Sequence, residues 1–114
     1  MRVVIQRVKQ ATVSVQGVKI SEIQKGLLIL LGVESQDNQQ DIDWLVAKVA
    51  KLRIFEDCDG AMNVSLQDLQ ADVIVVSQFT LHASTKKGNR PSFIKAAKPE
   101  VAIPIYQGFV DGLE

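Results

Sequence analysis

The sequence predicts a single α/β domain: a three-layer α/β/β arrangement with mixed sheets, N-terminal hairpins and a helix layer. Three observations indicate this class: strand-length apolar segments in both halves, one clear amphipathic helix, and a second helical pattern near the end. The 114 residues match one domain, and 46% hydrophobic residues can supply a core. Strands and helices in this order typically pack as a helix layer on a sheet.

The first third of the chain is predicted to form strands. Residues 2–8 are rich in Val and Ile, and residues 11–15 alternate with a period of two. Residues 18–23 follow a Gln-Gly turn signal as a third strand. Residues 27–33 are apolar on both faces, so we expect a central strand that is buried on both sides.

Helices and further strands are predicted in the rest of the chain. Residues 37–52 carry apolar side chains three and four apart, with Asp37 or Asn38 as the N-cap. Residues 62–66 predict a short strand, and 71–81 a buried strand that runs into a polar motif. Pro99 suits the first position of a last helix. A kink or a later start is expected there because Pro104 would interrupt it.

Cysteine content, hydropathy and charge indicate where the protein is located and what it can bind. A single cysteine, Cys58, cannot form an internal disulfide, and no apolar run approaches the ~20 residues that span a bilayer. We therefore expect a cytoplasmic protein that is not associated with a membrane. The net charge is zero, but no acidic residue lies between Asp72 and Glu100. The five cations of that stretch either contact phosphates or form a solvated face: Lys86, Lys87, Arg90, Lys95 and Lys98.

Familiar catalytic and cofactor patterns are missing. His82 is the only histidine and lies in no nucleophile-elbow pattern, so we interpret it as a surface residue after a strand. The acidic turn at residues 56–60 lacks the full ligand spacing of a calcium loop. One histidine and one cysteine cannot make a zinc site without further ligands. We therefore expect neither a metal nor a cofactor.

The strongest site signal is Ser77-Gln78-Phe79-Thr80-Leu81, which follows the buried strand. Sheets of α/β proteins place their sites at strand ends. Gln78 can donate and accept hydrogen bonds, and backbone N–H groups there can hold a developing oxyanion. The residues alone equally allow a strand that becomes an edge and exposes its polar side.

At this motif the chain resembles the D-aminoacyl-tRNA deacylase family. Five further segments are similar to family segments in the same order, and together they cover nearly the whole chain: residues 1–8, 26–33, 53–55, 62–63 and 88–93. The resemblance implies a homodimer with its site at the subunit interface. It also implies hydrolysis of the ester between a D-amino acid, or mischarged glycine, and the 3′-terminal adenosine of tRNA.

The resemblance also implies roles for single residues. Gln78, Phe79 and Thr80 are the expected catalytic residues, and Ser77 is expected to contact the substrate with them. Thr80 is either a nucleophile or a positioning group beside the tRNA's own 2′-hydroxyl. The second view is favoured because no base is assigned to activate the threonine. His82, two residues further, would share its face on a strand.

Four basic residues complete the expected substrate-binding set. Lys86, Lys87 and Arg90 follow the motif, where a tRNA acceptor end would approach. Arg7 matches a family arginine that lies close to a C-terminal Gly-cis-Pro element, which excludes L-amino acids. No Gly-Pro pair occurs in residues 1–114. The resemblance implies that this single deacylase-like domain lacks that C-terminal segment, about 30 residues judged by the usual family length and by a typical small-domain size, which puts chiral selection in question.

Two other functions stay open. A domain of the same fold could hold nucleic acid without hydrolysing anything, and a D-tyrosyl-tRNA deacylation assay separates it from an enzyme. The zero net charge also allows an interaction domain with no nucleic-acid role, which would show no salt-sensitive tRNA binding. Amino-acid and tRNA preference do not follow from the sequence.

Overall fold

A computed structural model of the chain describes residues 1–86 and 88–114. Seven strands and three α-helices follow one another in the described residues. They are β1 (Arg2–Val8), β2 (Ala11–Val15), β3 (Val18–Ile23), β4 (Gly26–Gly32), α1 (Gln39–Lys51), β5 (Phe55–Glu56), β6 (Met62–Val64), α2 (Leu66–Leu69), β7 (Asp72–Ser77) and α3 (Pro99–Leu113). A 3₁₀ helix, Phe79–His82, follows β7.

The central sheet has the order β1-β4-β7 and is mixed, because β1 pairs with β4 antiparallel and β7 pairs with β4 parallel. The predicted central position of this strand is confirmed, but the expected burial on both sides is not complete, because Leu28 and Leu30 are half-buried. Leu27, Ile29 and Leu31 of β4 are fully buried. Their side chains share one face of the sheet, since successive residues of a strand alternate. That face packs against Val49 of α1 and Phe109 of α3.

Helix α1 begins where its capping residue lies. The Asn38 side chain accepts hydrogen bonds from the backbone N–H groups of Gln40 and Asp41, and the Asp41 side chain accepts from the Asn38 N–H. This capping box satisfies N–H groups that have no partner within the helix. Of the two predicted caps, Asn38 is confirmed, because the Asp37 carboxylate instead accepts from the Met1 ammonium at 2.9 Å.

Helix α3 begins at Pro99, as predicted. The helix continues through Pro104 in one run, so the later start, one of the two expected outcomes, was wrong. Pro104 is exposed, so the carbonyl that loses its helical partner can bond to water. Phe109 is fully buried, and α3 contacts α1 along their apolar faces.

Two other boundaries differ from the prediction. The strand predicted for residues 62–66 ends at Val64, where Ser65 caps the short helix α2. The strand predicted for residues 71–81 ends at Ser77. The hairpin of β5 and β6 was not predicted as a pair. Each of these elements has at most six residues, too few for a hydrophobic period to mark their ends.

The β2–β3 hairpin forms the third layer. Its turn has positive φ angles at Gln16 (52°) and Gly17 (78°), which suits a tight two-residue hairpin. β3 contacts β7, and Ile74 of β7, which points away from the helices, is buried. The predicted α/β/β class is confirmed. Among the described residues, every helix falls short of the length and apolar character needed to cross a bilayer.

Candidate functional site

The polar motif lies where the parallel strands β4 and β7 end together. Ser77 is the last residue of β7 and pairs with Leu31 of β4. The Gln78 N–H still donates to the Leu31 carbonyl at 2.7 Å. The chain then leaves the sheet as the 3₁₀ helix. This is the carboxyl edge of the sheet, at which α/β folds bind their ligands.

Gln78 and Thr80 form one polar unit within this turn. The Gln78 Nε2 donates a hydrogen bond to Thr80 Oγ1, and both residues are half-buried. The threonine hydroxyl therefore serves as an acceptor and its position is fixed by the amide. A hydroxyl held in this way is oriented, but it is not activated, because an amide cannot take up its proton.

Two backbone N–H groups beside this unit lack a partner. Phe79 and Thr80 occupy the first turn of the 3₁₀ helix, where N–H groups have no helical acceptor. Within residues 1–86 and 88–114, neither N–H donates to a loop carbonyl or a side chain. Adjacent free N–H groups are the donors that stabilise an oxyanion in acyl transfer.

An exposed aromatic pair borders the motif. The rings of Phe79 and Phe93 meet edge to face, with centroids 5.4 Å apart and an interplanar angle of 80°. Their side chains are 57% and 36% exposed. Two backbone hydrogen bonds between Ser84 and Ser92, at 2.7 and 2.8 Å, close the loop that returns Phe93 to Phe79. Exposed ring faces of this kind stack on nucleobases.

The predicted basic residues lie partly on this same loop. Lys86 and Arg90 belong to the segment closed by the Ser84–Ser92 bridge, and both are exposed. Lys87, predicted with them, lies outside the described residues.

The structure does not bring Arg7 to the motif of the same chain. Arg7 of β1 pairs with Leu27 of β4. Leu31 of β4, which pairs with Ser77, is instead paired with Val3 of β1. Four residues along β1 correspond to about 13 Å. Arg7 instead borders a cleft with Lys9, Lys25, Phe55 and Glu56.

Arg2 is the arginine that reaches the 3₁₀ helix. Its guanidinium donates to the Leu81 carbonyl at 2.9 Å. Sequence reasoning missed this contact, because only the register of β1 on β4, with Arg2 opposite Gly32, brings residues 2 and 81 together.

His82 was wrongly interpreted as a surface residue. It is 3% exposed, and it ends the 3₁₀ helix rather than continuing a strand. The expectation that it shares a face with Thr80 was therefore also wrong. Neither ring nitrogen makes a hydrogen bond in the described part of the chain, so the single histidine is not a base for the Thr80 hydroxyl.

The acidic turn after β5 is held together by its own hydrogen bonds. The Asp57 carboxylate accepts from Asn63 Nδ2 at 2.9 Å, from the Asp59 N–H at 2.9 Å and from the Ala61 N–H at 3.0 Å. These bonds, that of Asn63 first, lower the Asp57 pKa because they favour the charged form. No group of three metal-ligating side chains comes together in residues 1–86 and 88–114.

Comparison with known proteins assigns the chain to a family. The model of the family described as D-Tyr-tRNA(Tyr) deacylase matches residues 4–114. The chain belongs to this family. It is 65% identical over 114 residues to the D-aminoacyl-tRNA deacylase of Flavobacterium johnsoniae, covering 100% of this chain and 76% of that protein. It is 58% identical over 113 residues to that of Bacteroides fragilis strain YCH46, covering 99% of this chain and 75% of that protein.

Solved structures give the same fold. A protein named c-Myc DNA Unwinding Element Binding Protein superposes with a TM-score of 0.93 at 40% identity, over 99% of this chain and 76% of that chain. A probable eukaryotic D-amino acid tRNA deacylase superposes with a TM-score of 0.81 at 18% identity, over 97% of this chain and 65% of that chain. The second likeness concerns the fold alone.

Proposed function

We propose that this chain is a hydrolase that removes D-amino acids, and glycine that has been mischarged, from the 3′-terminal adenosine of tRNA. The proposal places it in the cytoplasm as a proofreading enzyme. Its best support is one observation in the site: two free N–H groups, of Phe79 and Thr80, lie beside an exposed aromatic pair. One feature suits an ester that gains negative charge, and the other suits an adenine ring.

The proposed reaction is a hydrolysis. Water attacks the ester carbonyl carbon, and the Phe79 and Thr80 N–H groups stabilise the negative charge on the carbonyl oxygen. The bond between the acyl carbon and the ribose oxygen then breaks. The ribose oxygen takes a proton, which leaves a free amino acid and an uncharged tRNA. Correct placement of a bound ester supplies a large part of such an acceleration.

In this proposal Thr80 is not the nucleophile. Its hydroxyl accepts a hydrogen bond from Gln78, and His82, the only histidine of the sequence, makes no side-chain hydrogen bond to it in the described part of the chain. The terminal 2′-hydroxyl of the tRNA is the better group to assist the attacking water, since it belongs to the bound ribose. Gln78 and Thr80 position the ester, and Ser77 holds the strand end from which they project.

The proposed tRNA contacts are made by basic side chains and do not depend on the base sequence. Lys86 and Arg90 are exposed on the loop that carries the aromatic pair, and Lys87 is proposed with them. Contacts to phosphates accept many tRNA sequences, as a proofreading enzyme requires. We expect binding to weaken steeply with salt, and Lys86→Ala to reduce the slope of log affinity against log salt by about 1.

A homodimer with its site at the subunit interface is part of the proposal. Phe79, Phe93 and Ile94 leave large apolar surfaces exposed beside the site, and Ile94 is 86% exposed. Exposed apolar patches of this kind mark interaction surfaces. Arg7, which is distant from the motif of its own chain, is proposed to bind substrate from the partner subunit. Light scattering should give about 25 kDa, twice the chain mass of 12.5 kDa.

The experiment that tests the proposal is release of D-tyrosine from D-tyrosyl-tRNA, with Phe79→Ala and Trp44→Ala compared. Trp44 is 64% exposed on α1, so it is a matched aromatic control. We expect turnover from the unmodified chain, a loss of about tenfold or more for Phe79→Ala, and no loss for Trp44→Ala.

Each negative result has a distinct meaning. An ester that stays intact although the tRNA is bound would indicate a nucleic-acid-binding module instead. This alternative has one supporting observation, the solved relative that is named for DNA binding. Absence of any salt-sensitive tRNA shift would indicate an interaction domain.

A further inference from the structure

The 3₁₀ helix of the site ends in an imidazole that is sealed inside the protein. The His82 side chain has no exposed surface, and its Nδ1 lies 3.2 Å from Glu34 Oε1. The ring N–H is not aligned for a hydrogen bond at that distance, and neither nitrogen has a hydrogen-bond partner among the described residues. The contact therefore brings a carboxylate oxygen against a ring nitrogen without a satisfied hydrogen bond.

Packing alone does not account for a buried imidazole at this position. Polar atoms buried without a hydrogen bond destabilise the folded state, and an aliphatic side chain of similar volume would avoid that cost. Unsatisfied groups of this kind in native proteins call for an explanation beyond packing. The nearest candidate for such an explanation is Glu34, whose Oε1 lies 3.2 Å from the ring Nδ1.

The His82 ring lies close to Gly32, the last residue of β4. A Cβ atom added to Gly32 would stand 3.0 Å from Cδ2 and Nε2 of His82, and 3.0 Å from Cβ of Leu81. The glycine thus lets the 3₁₀ helix approach β4 to a distance at which a Cβ atom would crowd both side chains. The other charged group at this helix is Arg2, which donates to the Leu81 carbonyl at 2.9 Å.

Glu34 is itself held in place. Its backbone N–H donates to Asp37 Oδ2 at 2.7 Å, and the other oxygen of Asp37 accepts from the Met1 ammonium at 2.9 Å. The backbone of Glu34 is therefore fixed. Its side chain is 38% exposed, and the partly exposed carboxylate lies beside the buried His82 ring.

We propose that His82 and Glu34 are positioning residues that hold the 3₁₀ helix against β4 and thereby aim the Phe79 and Thr80 N–H groups at the ester. The inference rests on the proposed function, because it takes those N–H groups as the donors. A helix of four residues has few contacts of its own, so a rotation about its axis would misdirect both donors. His82 touches no substrate, and its effect is carried by the backbone.

The deciding variant is Glu34→Gln, which removes the charge and keeps the shape at a half-exposed position. We expect kcat for D-tyrosyl-tRNA to fall about tenfold, with KM within about twofold, because transition-state contacts change and ground-state binding does not. Glu34→Asp, which keeps the charge, should recover part of the rate. The control is Glu22→Gln, which removes an exposed carboxylate paired with Lys19, and its kcat should be unchanged.

Two further measurements keep the inference separate from the proposed function. Amide hydrogen exchange over residues 78–84 should be faster in Glu34→Gln, while exchange over 103–113 stays the same. In a His82→Leu background, Glu34→Gln should have no additional effect on kcat. Unchanged exchange, or equal losses from Glu34→Gln in both backgrounds, would overturn the pairing. If the unmodified chain releases no tyrosine, the proposed function fails, and the exchange comparison still decides whether the pair fixes the helix.

Discussion

The role of the Thr80 hydroxyl can be decided by replacing it with valine, which keeps the branched shape. Among residues 1–86 and 88–114, that hydroxyl makes one side-chain hydrogen bond, which it accepts from Gln78 Nε2. Losing one such bond costs about 0.5–1.5 kcal/mol, which corresponds to about a two- to tenfold lower kcat. A covalent nucleophile would behave differently, because removing one lowers kcat by about 10⁴-fold or more.

The assay is single-turnover release of D-tyrosine from D-tyrosyl-tRNA, with tRNA affinity measured separately. Thr80→Ser retains an acceptor oxygen and should remain within about twofold of the unmodified chain. A loss of more than about 10³-fold in Thr80→Val, with tRNA affinity and folding retained, would refute the view that the protein only positions the ester.

Three predictions concern stability. Gly26→Ala should destabilise the fold by about 3 kcal/mol or more, since its Cβ would lie 1.9 Å from the Asp72 carbonyl oxygen. A urea midpoint within error of the unmodified value would contradict the pairing of β4 with β7 at these residues. Tyr106→Phe should cost about 1 kcal/mol, because its hydroxyl donates to the Val75 carbonyl at 2.8 Å; an unchanged melting temperature would show that water replaces it. Hydrogen bonds from Asn63 and Ala61 lower the Asp57 pKa in the folded protein. These bonds therefore stabilise the folded state fully above the usual carboxyl pKa of about 3.9. That stabilisation is lost as the pH falls through the lower pKa of the folded state. Unfolding free energy should accordingly fall less between about pH 5 and pH 2 in Asp57→Asn than in the unmodified chain, and equal slopes would contradict it.

Long periodic segments were predictable because their own residues specify them. The apolar run of β4 and the stripe of α1 each extend over enough residues for burial to leave a clear pattern. The hairpin turn at Gln16 and Gly17 carries its own signal. A helix that starts at Pro99 and includes Pro104 did not follow from the sequence, because an exposed helix face tolerates a proline that an interior face would not, and exposure depends on what packs nearby.

The site was predictable only as a stretch of sequence. The motif at residues 77–81 marks a change from apolar to polar character, and this was visible without a structure. His82 contacts Glu34, and Arg2 contacts the Leu81 carbonyl through the register of β1 on β4. Both are pairings of residues far apart in the chain, and no local pattern contains them.

The Thr80 N–H has no partner in the sheet because the N–H group of another residue already occupies the carbonyl that it would bind. Within the parallel ladder Gln78 N–H donates to Leu31, and two residues further the Thr80 N–H would donate to Val33. That carbonyl instead accepts from the Ala97 N–H at 2.8 Å. The segment leading into α3 therefore takes the position that a longer β7 would occupy. The chain must turn away as a 3₁₀ helix, and a donor that sheet formation would have consumed stays available for an ester.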